Sequence, residues 1–181
     1  ENGIEFRIAE VAGKFDLSDD RQRVAYAEEV SGVLAGLETG EQCVSLLLIA
    51  PGGLSGMNDF LFFTRDGQVK RTAAAEYDVK RAKFAALSLK GGDELLCVQI
   101  AEEHADLLLL SRQGQCIRFL LDTVPEMGRV SAGVKGMKLE EGDSLSLATP
   151  ICNSDQVLLF TERGYAKRMM GAMFDCQGRA G

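Results

Sequence analysis

Four glycines in this chain are each followed four residues later by an arginine, in Gly3-Ile-Glu-Phe-Arg7, Gly67-Gln-Val-Lys-Arg71, Gly114-Gln-Cys-Ile-Arg118 and Gly164-Tyr-Ala-Lys-Arg168. Apolar runs precede the last three: Phe60 to Thr64, Leu107 to Ser111 and Val157 to Thr161. The unit therefore reads strand, tight turn, strand, with a positive charge at a fixed offset past the turn. Glycine supplies the positive φ that tight hairpins require. The glycines stand 64, 47 and 50 residues apart. A period of about 40 to 50 residues built from short strands marks a propeller-like array. One cation at a repeated place in every β-blade suits a long, regular, negative partner.

A second series of turns lies inside the first. Gly40-Glu41, Gly92-Asp93 and Gly142-Asp143 each precede an apolar stretch: Val44 to Ile49, Leu95 to Ile100 and Leu145 to Ile151. One repeat thus runs basic turn, strand, variable polar segment, acidic turn, strand, short loop, strand, next basic turn. This predicts one all-β domain over residues 1–181, with repeats at about 1–66, 67–113 and 114–163 and a partial one at 164–181. The chain starts just before one basic turn and stops just after another, so it is expected to be a piece of a longer protein.

With 46% apolar residues among 181, the chain can bury a sizeable core without staples. Apolar runs such as Val44 to Ala50 are too short to cross a bilayer, and Glu1 to Glu10 is too polar for a secretory signal. The five cysteines, odd in number and without a C-x-x-C pair, read as thiols of a reduced cytosol. A cytoplasmic protein with no membrane partner is the expectation.

The net charge of −7 argues against nucleic acid until it is resolved along the chain. Residues 1–64 hold 11 acids and 4 bases, which is the whole imbalance; residues 65–181 hold 16 of each. Arg65 to Lys90 has seven bases and three acids, whereas Gly91 to Asp106 has five acids and no base. Leu107 to Lys138 has five bases and two acids, and Leu139 to Val157 four acids and no base. Equivalent positions in an array share a rim, so sorting by repeat position predicts a positive rim and a negative surface elsewhere. The alternative is that charges at hairpin edges only block edge pairing.

Enzyme chemistry finds little support. The single histidine, His104, in Ala101-Glu-Glu-His-Ala-Asp106, reads as a loop residue rather than a base or metal ligand. Gly52-Gly53-Leu-Ser-Gly56 lacks the Lys-Ser/Thr and helix of a phosphate-cradling loop. No catalytic residue, metal or cofactor is assigned.

The densest motif follows the third basic turn, Ile117-Arg-Phe-Leu-Leu-Asp-Thr-Val-Pro-Glu-Met-Gly-Arg-Val-Ser-Ala-Gly-Val-Lys-Gly-Met-Lys138. Gly128, Gly133 and Gly136 free its backbone, and Arg129, Lys135 and Lys138 supply charge suited to phosphate. This segment resembles the C-terminal domain of the A subunit of bacterial type IIA topoisomerases, DNA gyrase and topoisomerase IV. So do Phe62-Phe-Thr-Arg-Asp-Gly-Gln-Val-Lys-Arg-Thr72 with Glu76-Tyr77, and Thr161-Glu-Arg-Gly-Tyr-Ala-Lys-Arg168. The likeness covers roughly residues 60–181.

The resemblance implies a β-pinwheel, a propeller-like array of four-stranded blades that exchange strands, with DNA bent around a basic outer rim. It implies a noncatalytic domain that binds duplex DNA without sequence preference. Its expected partners are DNA, the remainder of its own topoisomerase chain and, through that, the ATPase B subunit. A protein-binding propeller without DNA is the competing class. The chain departs from the gyrase pattern at Gln177-Gly-Arg-Ala-Gly181, a weak match to its glutamine, arginine and glycine-rich box. It departs again at Val79-Lys-Arg-Ala-Lys-Phe84, which has no glycine. The expected phosphate contacts are Lys70, Arg71, Lys80, Arg81, Lys83, Arg118, Arg129, Lys135, Lys138, Lys167, Arg168 and Arg179. Alternation does not show which way Arg71, Arg118 and Arg168 point, so pairing with a carboxylate at the blade edge stays open for them. The acidic residues 1–64 should repel DNA, leaving a partial wrap on 65–181, closer to topoisomerase IV than to gyrase.

Overall fold

The computed structural model describes residues 14, 16, 18, 19, 21, 22, 24, 25, 44–47, 49, 53–81 and 84–181. Where the repeats predict one domain, the chain divides into two compact units, 1–43 with 79–84, and 44–78 with 85–181. In the first unit residues 21, 22, 24 and 25 are helical. Asp19 Oδ1 accepts the Arg21 amide at 2.8 Å, a capping bond typical of a short acidic side chain. The basic turn at Gly3 and the acidic turn at Gly40 lie outside the described residues.

Among the described residues the second unit has nine strands: β1 (Phe60–Thr64), β2 (Gln68–Thr72), β3 (Leu95–Ile100), β4 (Asp106–Ser111), β5 (Cys116–Leu120), β6 (Val134–Lys135), β7 (Leu145–Ile151), β8 (Gln156–Phe160) and β9 (Ala166–Met170). They form an antiparallel sheet in the order β3-β1-β2-β6, a second in the order β5-β4-β7, and the hairpin β8-β9. The all-β pinwheel expected from the sequence is what the chain adopts.

The hairpins turn at Gly67, Gly114 and Gly164, with φ of 77°, 89° and 80°. Each turn has a second fastening. The hydroxyls of Thr64, Ser111 and Thr161 accept the amides of Gln68, Gln115 and Tyr165 at 3.1, 3.2 and 3.3 Å. The acidic turns close on the same tips. Asp93 Oδ1 accepts the amides of Glu94 and Asp66 at 2.8 and 2.9 Å. Asp143 Oδ1 accepts those of Ser144 and Gln113 at 2.8 and 3.2 Å. These carboxylates grip the basic hairpin of their own blade, which explains why the repeat keeps an acid there.

Strand exchange follows. Residues 126–138, which come after β5, cross onto β2: Met127 donates to Arg71 O at 2.8 Å, β6 pairs with Gln68 and Val69, and Gly136 donates to Gly67 O at 2.8 Å. Residues 176–181 cross onto β5 in the same way, with Gln177 donating to Arg118 O at 2.8 Å. The first two sheets thus take strands from both sides of a basic turn and borrow their outermost segment from the next repeat. At Gly133, with φ 85°, an added Cβ would stand 2.6 Å from Val69 O. The crossing lies that close because the residue has no side chain.

Leu61, Phe63, Val69, Leu107, Leu109, Phe119 and Leu145 form the fully buried center of the core. Strand β1 is buried along its whole length, as its unbroken apolar run requires. The matching leucines of the three hairpins, Leu61, Leu108 and Leu158, are 0%, 7% and 55% exposed.

Candidate nucleic-acid interface

The arginine at the fixed offset past each basic turn has a structural duty in two of the three described hairpins. Arg71 Nε meets Asp59 Oδ2 at 2.5 Å, and its Nη1 stands 3.8 Å from Asp122 in the short 3-10 turn of the next hairpin. Arg118 does the same more tightly. Its Nε and Nη2 both lie 2.7 Å from Asp106 Oδ2, and Nη1 donates to Gly171 O at 2.8 Å and to Phe174 O at 3.3 Å. Each guanidinium therefore joins the first strand of its own blade to the turn of the next. Of the two orientations left open by the sequence, pairing with a carboxylate is the one seen at Arg71 and Arg118.

Lys70 is also inside. Its side chain is 1% exposed, and its Nζ donates to Ala86 O at 2.8 Å, to Tyr77 Oη at 3.3 Å and to Arg129 O. Burial, followed by the nearby Arg129 charge, pulls its pKa from the ordinary 10.5 to about 8, with Glu76 acting in the opposite sense. Lys70 and Arg118 thus revise the sequence expectation, because phosphate cannot reach an ammonium or guanidinium enclosed by protein carbonyls. Arg71, half-buried and paired, belongs with them.

Other expected contacts are exposed or half-buried. Lys135 and Lys138 are exposed on the crossing segment, and neither takes part in an ion pair among the described residues. Arg179, half-buried, lies beside them, with Nη1 donating to Lys135 O at 2.6 Å and Nε to Thr123 O at 3.1 Å. Arg129 is half-buried and donates from Nη1 to Ala85 O at 2.8 Å. Lys167 and Arg168 are exposed on β9. Lys80 and Arg81 are exposed in the first unit, and Lys83 lies outside the described residues. Sequence reasoning passed over Lys90 and Arg163, both exposed. Arg163 occupies a hairpin tip, next to the Gly164 that marks it.

The three glycines of the basic segment have a different role from the one read in the sequence. Gly133 and Gly136 lie against Val69 and Leu109, so they permit strand crossing rather than a close approach of phosphate. Only Gly128 has open space around it.

The charges sort across the sheets. The outermost segments carry Arg129, Lys135 and Lys138 on the first sheet and Arg179 on the second, and β9 carries Lys167 and Arg168. Strands β3 and β7, at the opposite edges, have no lysine or arginine. His104 sits exposed in the turn between β3 and β4 with φ 61°. Among the described residues no group of three His, Cys, Asp or Glu could hold a metal ion.

A family model described as the DNA gyrase C-terminal domain, beta-propeller, matches residues 58–98, 105–151 and 155–181. The chain is 38% identical to the DNA topoisomerase 4 A subunit of Bacillus subtilis (strain 168) over 122 residues, 66% of this chain and 15% of that protein. It is 32% identical to the DNA gyrase A subunit of Deinococcus deserti over 165 residues, 88% of this chain and 20% of that protein. A crystal structure of the C-terminal domain of DNA topoisomerase IV superposes with a TM-score of 0.73 at 28% identity, covering 80% of this chain and 45% of that one. The chain thus spans a fifth or less of these two curated relatives.

Proposed function

The chain belongs to the DNA gyrase C-terminal domain family, and from that membership we propose that it is a noncatalytic DNA-binding and DNA-bending domain of a bacterial type II topoisomerase A subunit. One observation carries the reading: exposed cations lie on the outermost segments of the sheets, and the opposite-edge strands have none. Lysine and arginine on a strand edge meet phosphates without reading base edges, so binding is insensitive to sequence. The contact set is Arg129, Lys135, Lys138, Lys167, Arg168 and Arg179, with Lys80 and Arg81 secondary.

A curved basic edge gains contacts only if the duplex follows it. Bending a 20 to 30 bp site costs on the order of 1 to 6 kcal/mol, which added phosphate contacts must offset. Contact runs mainly along residues 65–181, because residues 1–64 hold the entire excess of acid. The domain acts in the cytoplasm with the remainder of its own topoisomerase chain and with the ATPase B subunit. Breakage and rejoining of DNA belong to residues outside this chain.

The net charge of −7 favours a second reading, a propeller that binds protein. A salt titration of duplex binding separates the two. Replacing Lys135 and Lys138 together by alanine should weaken binding on all sequences alike and flatten the slope of log K against log salt by about 1.8. If the wild-type chain shows no salt-dependent duplex binding, the protein-binding reading stands instead.

A further inference from the structure

Lys70 is a buried residue of β2, with its Nζ over the rings of Phe62 and Tyr77, 5.0 and 6.0 Å from their centroids. Its three ammonium donors go to Ala86 O, Tyr77 Oη and Arg129 O. The same place is laced by further bonds. Arg129 Nη1 reaches Ala85 O at 2.8 Å, Ser88 Oγ donates to Val130 O at 2.7 Å, and the Ser88 amide donates to Ser131 O at 3.3 Å. Lys70 thus bonds both the 85–88 segment and the 128–131 loop from a single buried atom.

The chain contains its own control. Ile117 holds the matching place in the second blade, opposite Leu109 as Lys70 is opposite Phe62, and is 3% exposed. An aliphatic side chain therefore satisfies the packing at this position. A lysine there, buried at the cost of desolvating its charge, supplies something packing does not require.

We propose that Lys70 is a positioning residue for DNA binding: it holds the backbone of Arg129 so that this guanidinium is carried at a fixed place on the outer segment. This rests on the DNA-binding reading above. Glu76, Tyr77 and Arg129 are the titratable groups that act on it.

The test is a double-mutant cycle on the 181-residue chain, with Lys70→Ile, Arg129→Ala and the pair, read as duplex affinity on a 30 bp fragment alongside an unfolding curve. Lys70→Met serves if the isoleucine variant does not fold. Loss of the staple should weaken binding about fivefold when Arg129 is present and less than about twofold when it is already alanine, the coupling expected of residues acting as a unit. Equal losses in both backgrounds, or no loss from Lys70→Ile while Arg129→Ala weakens binding, would overturn the staple alone. A wild-type chain that fails to bind duplex would overturn the functional reading together with it.

Discussion

Replacing Arg118 by alanine should destabilise the fold far more than replacing Arg71, although the two hold the same place in the repeat. Arg118 is 7% exposed and Asp106 is 13% exposed, and two of its nitrogens lie 2.7 Å from one carboxylate oxygen. The substitution leaves Asp106 enclosed without a counter-charge and strips a donor from Gly171 O and Phe174 O. Breaking a buried ion pair by removing one partner costs about 3 to 5 kcal/mol. The Arg71 side chain is 26% exposed, and its second partner, Asp122, is 97% exposed at 3.8 Å. Solvent screens that contact, so the Arg71 substitution should cost about 1 to 2 kcal/mol, mostly through Asp59. Urea unfolding of both variants measures the difference, and a cycle with Asp106→Ala isolates the pair. A loss below about 1 kcal/mol for Arg118→Ala, together with a DNA salt slope flattened by about 0.9, would refute the reasoning. It would mean that the guanidinium reaches phosphate and that the joint between blades is held by something else.

Two further outcomes follow from close packing and from burial. Gly133→Ala places a Cβ 2.6 Å from Val69 O on a backbone with φ 85°. It should cost about 2 kcal/mol or more in urea unfolding and speed amide exchange at Val134 and Lys135. Because Lys70 has a folded pKa of about 8, below the ordinary 10.5, the unfolded chain binds the extra proton between those values, and stability should rise with pH through this window. The rise is limited to about 1.4 kcal/mol per pH unit. Burial raises the Tyr77 pKa, which opposes the rise once free tyrosine ionises near 10, so the increase should be clearest from pH 8 to 10. Lys70→Ile should abolish it.

The hairpins were legible because their signals are local. Gly67, Gly114 and Gly164 mark the turns, and the hydroxyls that fasten them stand three residues before each glycine. Strand exchange was expected through the family resemblance and not from the residues themselves, since Met127 pairs with Arg71 and Gln177 with Arg118 across more than fifty residues, with no composition cue in either partner. The glycines that permit it looked like a flexible basic loop. Side-chain direction was the other gap. A lysine between Val69 and Arg71 reads as solvent-facing, and aligning the repeats leaves it undecided, with Ile117 buried at the matching place of the second hairpin and Lys167 exposed at that of the third. The exposure of Lys135 and Lys138 was legible because both stand in a segment rich in glycine and charge rather than in an apolar run.

The net charge misjudges this surface because acids and bases have unequal structural duties. Asp59, Asp93, Asp106 and Asp143 all hold strands or turns together, so part of the negative charge is locked inside each blade. The third hairpin shows how little separates the two duties of a repeated arginine. Asp59 and Asp106 each lie two residues before the leucine paired with their arginine, Leu61 with Arg71 and Leu108 with Arg118. Two residues before Leu158, the partner of Arg168, the chain has Gln156. That place holds no carboxylate, and Arg168 is exposed on a hairpin that, among the described residues, has no segment of a following repeat beside it. The repeat thus supplies the arginine with a carboxylate in the first two hairpins and an amide in the third.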